Sequence, residues 1–330
     1  MSIITKNTQK NLERLEKILP KYINNKVVPK DVLVIIEKGI PKPLNDETIR
    51  QAIKYYFVKY KINKTKRKKQ IQINKKQQII YNHGPISNWD VSNVTNMNSL
   101  FAHYYEEFNE DISKWNVSNV TNMESMFQGA TSFNQQLNNW DVSNVKNMRY
   151  MFSRTESFNQ PLNNWNVSNV TDMYCMFQSA NAFNHPLDNW NVSSVKYMSD
   201  MFDHAKNFNQ SINNWDVSNV KNMSRMFRNA TSFNQPLNNW DVSQVTYMPM
   251  MFYRAYTFNQ PLNEWNVTNV IEMNHMFCYA RNFNQPLNNW NVSNVIRMEN
   301  MFVAAEQFDQ LTNAPWFPTN TSRIFMQYDI

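Results

Sequence analysis

Ten tryptophans organise this chain before any other feature is considered. They stand at positions 89, 115, 140, 165, 190, 215, 240, 265, 290 and 316, which is 25 residues apart except for 26 at each end. A fixed period between about 20 and 50 residues marks a stacked repeat array, in which each unit needs its neighbours for burial. The unit reads F-N-Q-P-L-N-N-W-[DN]-V-S-N-V-x-x-M-x-x-M-F-x-x-A-x-x, as from Phe233 to Thr257. Nine such units occupy residues 81–307.

Within a unit the apolar spacing changes. Phe233, Leu237, Trp240 and Val242 suggest an extended stretch with turns. Met248, Met251, Phe252 and Ala255 follow i, i+3, i+4, i+7, one face of a short helix. Ser243 stands where an N-cap belongs, and Pro249 falls early enough to be tolerated. The pattern predicts an α/β solenoid, with one short strand near Leu-Asn-Asn-Trp and one short helix in every repeat. Only three glycines occur in the chain, while Phe-Asn recurs at all eight unit junctions from Phe108-Asn109 to Phe283-Asn284. Asparagine tolerates left-handed backbone, bonds nearby backbone at turns and, stacked at one slot, can form an amide ladder between coils.

The motif W-D-V-S-x-V-T-x-M-x-x-M-F recurs from Trp89 to Phe302. It resembles the repeat of the BspA-like, Mycoplasma-type family, known chiefly as a domain of unknown function. Leu44 to Ile53 is similar to a short helix that precedes the first repeat in many members, and Tyr81 to Trp89 resembles the usual entry into the array. The resemblance covers residues 44–310. It implies a leucine-rich-repeat-like fold and a source among mycoplasmas, other bacteria, protists or giant viruses. The Asn/Lys-rich composition and basic head fit a giant virus or a protist.

The ends differ from the array. Residues 8–23, 29–39 and 46–59 read as helices of a small N-terminal cap domain over 1–58, the last with Asn45 or Asp46 as N-cap and Ile49, Ile53 and Phe57 along one face. Residues 308–330 read as a C-terminal cap, because Trp316 arrives one residue late and no V-S-x-V follows it. The net charge of +7 hides an asymmetry: residues 1–80 hold 20 Lys/Arg against 6 Asp/Glu. A basic linker or helix over 59–80 carries most of it, with Lys64, Lys66, Arg67, Lys68 and Lys69 as candidate anion contacts. Such a run suits a nuclear-localisation signal, nucleic acid or an acidic protein, and equally a solvated linker.

No catalytic constellation is visible. The histidines are scattered, the three glycines form no phosphate-cradling loop, and Asp after Trp alternates with Asn, which rules that slot out of acid–base work. The methionines follow core spacing rather than a metal pattern. The sequence therefore predicts no cofactor, no metal and no enzymatic activity. Cys175 and Cys278 fall in different repeat slots, and the opening residues hold no apolar stretch of signal-peptide length. This predicts an intracellular chain without a membrane span, cytoplasmic or nuclear, or in a virion if viral.

Function must then lie where the units differ. The variable slots hold Arg149, Tyr150, Arg154, Tyr174, Lys196, Tyr197, Arg225, Arg228, Tyr247, Tyr253, Arg254 and Tyr279, with Tyr256 and Arg281 nearby. Tyr and Arg are favoured interface anchors, so these residues form a candidate interaction strip. The first expectation is a protein–protein interaction scaffold. The alternatives are a nucleic-acid-associated protein binding through 59–76, and a structural virion or surface component.

Overall fold

The computed structural model describes residues 43–57, 66–102 and 108–318, with the side chains of all of these except 66–70 and 72. The helices expected over 8–23 and 29–39 lie outside these residues, as does the part of the C-terminal cap beyond 318.

Each 25-residue unit is one coil of a stacked array. Coil 1 carries Trp89 and coil 9 carries Trp290. Neither the strand nor the helix expected in each unit is present. Among the described residues the array contains only isolated parallel bridges, from Asn96↔Asn122 to Glu272↔Arg297, and its coils contain no helix. The leucine-rich-repeat-like α/β solenoid is therefore corrected to a stack of coils made almost entirely of turns.

Coil 6 shows how the residues dictate this. Trp215 N–H donates to the Ile212 carbonyl at 3.1 Å, so the expected strand is a tight turn. Val220 N–H donates to Val217 at 2.9 Å, closing a second turn. In coil 7, Ser243 N–H bonds Asp241 Oδ1 at 2.9 Å, which makes the serine part of an Asx turn and not a helix cap. From Met223 onward, alternate amides take two different routes. Met226 and Arg228 donate three residues back, to Met223 and Arg225. Met223, Arg225, Phe227 and Asn229 donate to coil 7, at Tyr247, Pro249, Met251 and Tyr253.

A helix cannot form here because two residues per coil are left-handed, Arg225 (φ 56°) and Asn229 (φ 57°) in coil 6. Each re-aims the following peptide out of the i→i−4 direction. Three-residue turns also return a side chain to the same face, so the i, i+3, i+4, i+7 spacing is met without a helix.

The core is a set of columns along the array. Phe227 lies on Phe233 within its coil (centroids 4.1 Å, 7°) and on Phe252 of the next (5.7 Å, 7°). Trp190 stacks on Trp215 at 6.3 Å and 3°. The methionines Met223 and Met226 are fully buried beside them. From Trp115 on, each indole N–H is satisfied by the preceding coil: Trp240 Nε1 donates to the Ile212 carbonyl at 3.0 Å. The asparagines close the surface. Asn209 Oδ1 accepts from Asn234 N–H (2.9 Å) and Gln235 Nε2 (3.1 Å) of the next coil, so the Phe-Asn slot links successive coils through main chain and glutamine instead of through stacked asparagine amides.

Two helices stand before coil 1. Helix α1, Asp46–Tyr56, begins with a capping box between Asn45 and Thr48 and buries Ile49, Ala52 and Ile53. Coil 1 has no preceding coil to pair with, and α1 supplies the missing partners. Asp46 accepts from Thr95 N–H (2.7 Å) and Asn96 N–H (3.0 Å). Arg50, one turn later, donates to the Asn98 carbonyl at 2.8 Å and the Asn96 carbonyl at 3.4 Å. Tyr56 closes the tryptophan column edge-on to Trp89 at 5.5 Å. Helix α2, Lys66–His83, leads into the array, with Lys75 Nζ on Tyr55 Oη at 2.8 Å. At the other end, Trp316 stacks on Trp290 (6.1 Å), and the short helix α3, Gln310–Asn313, bonds its Asn313 carbonyl to Leu287 N–H at 2.7 Å.

Candidate interaction face

The inter-coil bonds divide the surface of the array into two kinds. Around each tryptophan the exposed slots repeat because they hold neighbouring coils together. Asn213 Oδ1 accepts from Asn239 N–H (3.1 Å), Asn219 Nδ2 donates to the Ser193 carbonyl (2.8 Å), and the residue after Trp accepts from the serine two positions on. That last bond needs one amide or carboxylate oxygen, so Asp216 and Asn191 serve alike. The other surface carries the backbone ladder, seven to fourteen residues after each tryptophan. Its inward side chains are Met and Phe in every coil except for Leu100 in coil 1, and its outward ones vary along the array. We refer to it as the ladder face.

All of the sequence-predicted strip except Lys196 falls on this face, and the structure sorts most of it into three groups. In coils 3 and 4, Arg149 donates to Asp172 at 3.0 Å and lies over Tyr174 at 4.9 Å, while Tyr150 meets Tyr174 edge-on at 5.1 Å. In coils 7 and 8, Arg254 lies 5.2 Å from both Tyr253 and Tyr279, which meet at 5.8 Å. Arg281 lies over Tyr256 at 5.1 Å beside this group. Between them, in coils 5 and 6, Arg225 grips Asp200 through Nε (2.6 Å) and Nη2 (3.0 Å), and Arg228 grips Asp203 at 2.9 and 2.8 Å. Lys196, Tyr197, Tyr247 and Arg154 are exposed and belong to none of the groups.

Sequence reasoning missed the carboxylates. Asp200 and Asp203 are buried to 2% and 1% exposure, and each sits 25 residues before its arginine in the same slot. Opposite charges one period apart were the available signal. Burial pushes the Asp203 carboxyl up, but donors from His204 and Arg228 outweigh it and hold the group below the usual carboxylate range. Cys175 beside them is pushed up to about 12, first by burial and then by Asp200, so its thiol is protonated at neutral pH. Tyr174 is raised by its hydrogen bond to Tyr150 and by burial.

Other expected positions are settled more simply. Cys175 and Cys278 are both free and buried. His185 takes the glutamine slot of its coil and contacts the Asn159 carbonyl at 3.1 Å. Among the described residues, no three His, Cys, Asp or Glu side chains converge as metal ligands, and no helix is long and apolar enough to cross a membrane. Of the candidate anion contacts, Lys64 lies outside the described residues; Lys66, Arg67, Lys68 and Lys69 open helix α2.

A family model described as Mycoplasma protein of unknown function, DUF285, matches the chain over residues 71–190, 160–260 and 237–326. No curated protein matches it.

Proposed function

The chain belongs to the DUF285 family of Mycoplasma-type repeat proteins, and from that premise we propose that it is a non-enzymatic protein–protein interaction scaffold that docks its partner on the ladder face. The observation that supports this is the division of labour between the two surfaces. Slots around the tryptophans are held constant by their inter-coil bonds, whereas the ladder face varies and collects Tyr and Arg, the residues that anchor interfaces. Tyr197 and Tyr247 are 51% and 41% exposed on it, flanked by the two Arg–Tyr groups. The kinship to BspA-like repeat proteins rests on the motif from Trp89 to Phe302. Nothing beyond charge favours a nucleic-acid contact through residues 59–76, and charge alone selects no partner.

The test is affinity capture from the native cell with the full chain at high salt. Replacing Tyr197, Tyr247, Arg149 and Arg254 with Ala should abolish retention of any specific partner. Retention unchanged by all four substitutions would remove the ladder face from the account.

A further inference from the structure

The inter-coil ladder is polar from one end of the array to the other. In coil 7, the Tyr247 carbonyl accepts from coil 6 and the Met248 N–H donates to Glu272 of coil 8. The same peptide orientation recurs at Pro249–Met250, Met251–Phe252 and Tyr253–Arg254. In these four columns carbonyls face the coil before and amides the coil after, whereas the Thr246 slot runs the other way, its N–H donating back to the Lys221 carbonyl. Four columns of peptide groups are hydrogen-bonded head to tail along the array, as along a helix, and their dipoles add. Ordinary sheets lack this property because neighbouring peptides alternate.

A polar column leaves unlike ends. At coil 1 these four columns end in carbonyls, and Arg50 already covers those of Asn96 and Asn98. At coil 9 they are amides: the N–H groups of Met298, Asn300, Phe302 and Ala304 have no acceptor among the described residues. Apolar side chains flank this row, with Ile296 72% and Val303 46% exposed and Met298 and Phe302 only partly buried. An open row of main-chain donors is a template for another chain.

We propose that this C-terminal edge is a docking site for an extended segment of a partner polypeptide, recognised through its main-chain carbonyls. This edge continues the interface the molecule already uses. At every junction from coil 2 to coil 9 the same four amides bind carbonyls on alternate residues of a segment with Met-x-x-Met-Phe spacing, such as Met273, Met276 and Phe277. The occupant is therefore a segment with alternating carbonyls and apolar side chains at that spacing, added in the manner of strand augmentation.

A second copy does not fit. Tail to tail, donors would meet donors, and head to tail the first coil is covered by α1 through Ile49, Ala52 and Ile53.

The test is residue-resolved amide exchange on the full chain, with and without a synthetic peptide of sequence Val195 to Lys206, which carries the ladder segment of coil 5. Alone and at low concentration, the amides of 298, 300, 302 and 304 should exchange freely, while those of 273, 275, 277 and 279 stay protected. Peptide at ten times its Kd should slow the four amides by about tenfold, and a scrambled peptide should not. Three results would overturn the proposal. The first is protection of the four amides in the dilute chain alone, which would place its own residues on the edge. The second is protection that grows with chain concentration, which would mean self-association. The third is exchange that the peptide leaves unchanged.

Discussion

A guanidinium that grips a buried carboxylate with two donors is not a free docking charge, and Arg225 and Arg228 are of this kind. They were legible as variable cations in the sequence. Their partners were not, because a carboxylate one period upstream reads as surface until the coils are stacked. Arg228→Met should therefore lower stability by about 3 kcal/mol, since Asp203 stays buried without its main counter-charge. Pairing it with Asp203→Leu should restore most of the loss, as read from urea unfolding midpoints. The left-handed positions make a second residue-scale case. Ser179 holds φ 56°, so Ser179→Gly should raise stability by about 1 kcal/mol and Ser179→Val should lower it by at least as much. Equal midpoints for these two variants would contradict the backbone account.

At the scale of elements, sequence pattern read one kind of segment well and another badly. Helix α1 was legible because its signals agree: Asn45 caps it, Thr48 completes the box, and Ile49 and Ile53 share a buried face. The repeat segment was misread because its left-handed positions carry Tyr150, Arg154, Arg225 and Tyr279, where glycine would have given the turn away. Helix α1 also offers a pH test. Burial raises the Asp46 carboxyl, but hydrogen bonds from Asn96 and Thr95, with the charge of Arg50, hold it below its ordinary value of 3.8. A lowered folded pKa gives stability that is present above the unfolded value and lost as pH falls through the folded one. Asp46→Asn should speed exchange at the Thr95 and Asn96 amides at neutral pH. The difference from the unaltered chain should shrink as pH falls below 3.8 and vanish only once pH has passed the lowered folded value. A difference that persists at low pH would mean that the carboxylate charge is not what holds α1 to coil 1.

At the scale of the whole molecule, stability is a sum over junctions, because each coil touches only its neighbours. In-frame removal of Phe258 to Asn282, one full period, should leave a folded array with a lower melting temperature. Collapse of the whole chain on that deletion would show a longer-range cooperativity than stacking provides. The same construction explains why the array was legible from its tryptophans while its docking surface was only partly so. Period and burial are set by residues that repeat, but the ladder face is defined by residues that do not. The measurement that bears most directly on the scaffold reading is photo-crosslinking in the native cell. A crosslinking amino acid would replace Tyr197 or Tyr247 on the ladder face, and Asn139 or Asn214 beside the tryptophans. The account predicts the same discrete partner from both ladder positions and none from the asparagine positions. Adducts only from the asparagine positions, or an unselective smear from all four, would contradict it.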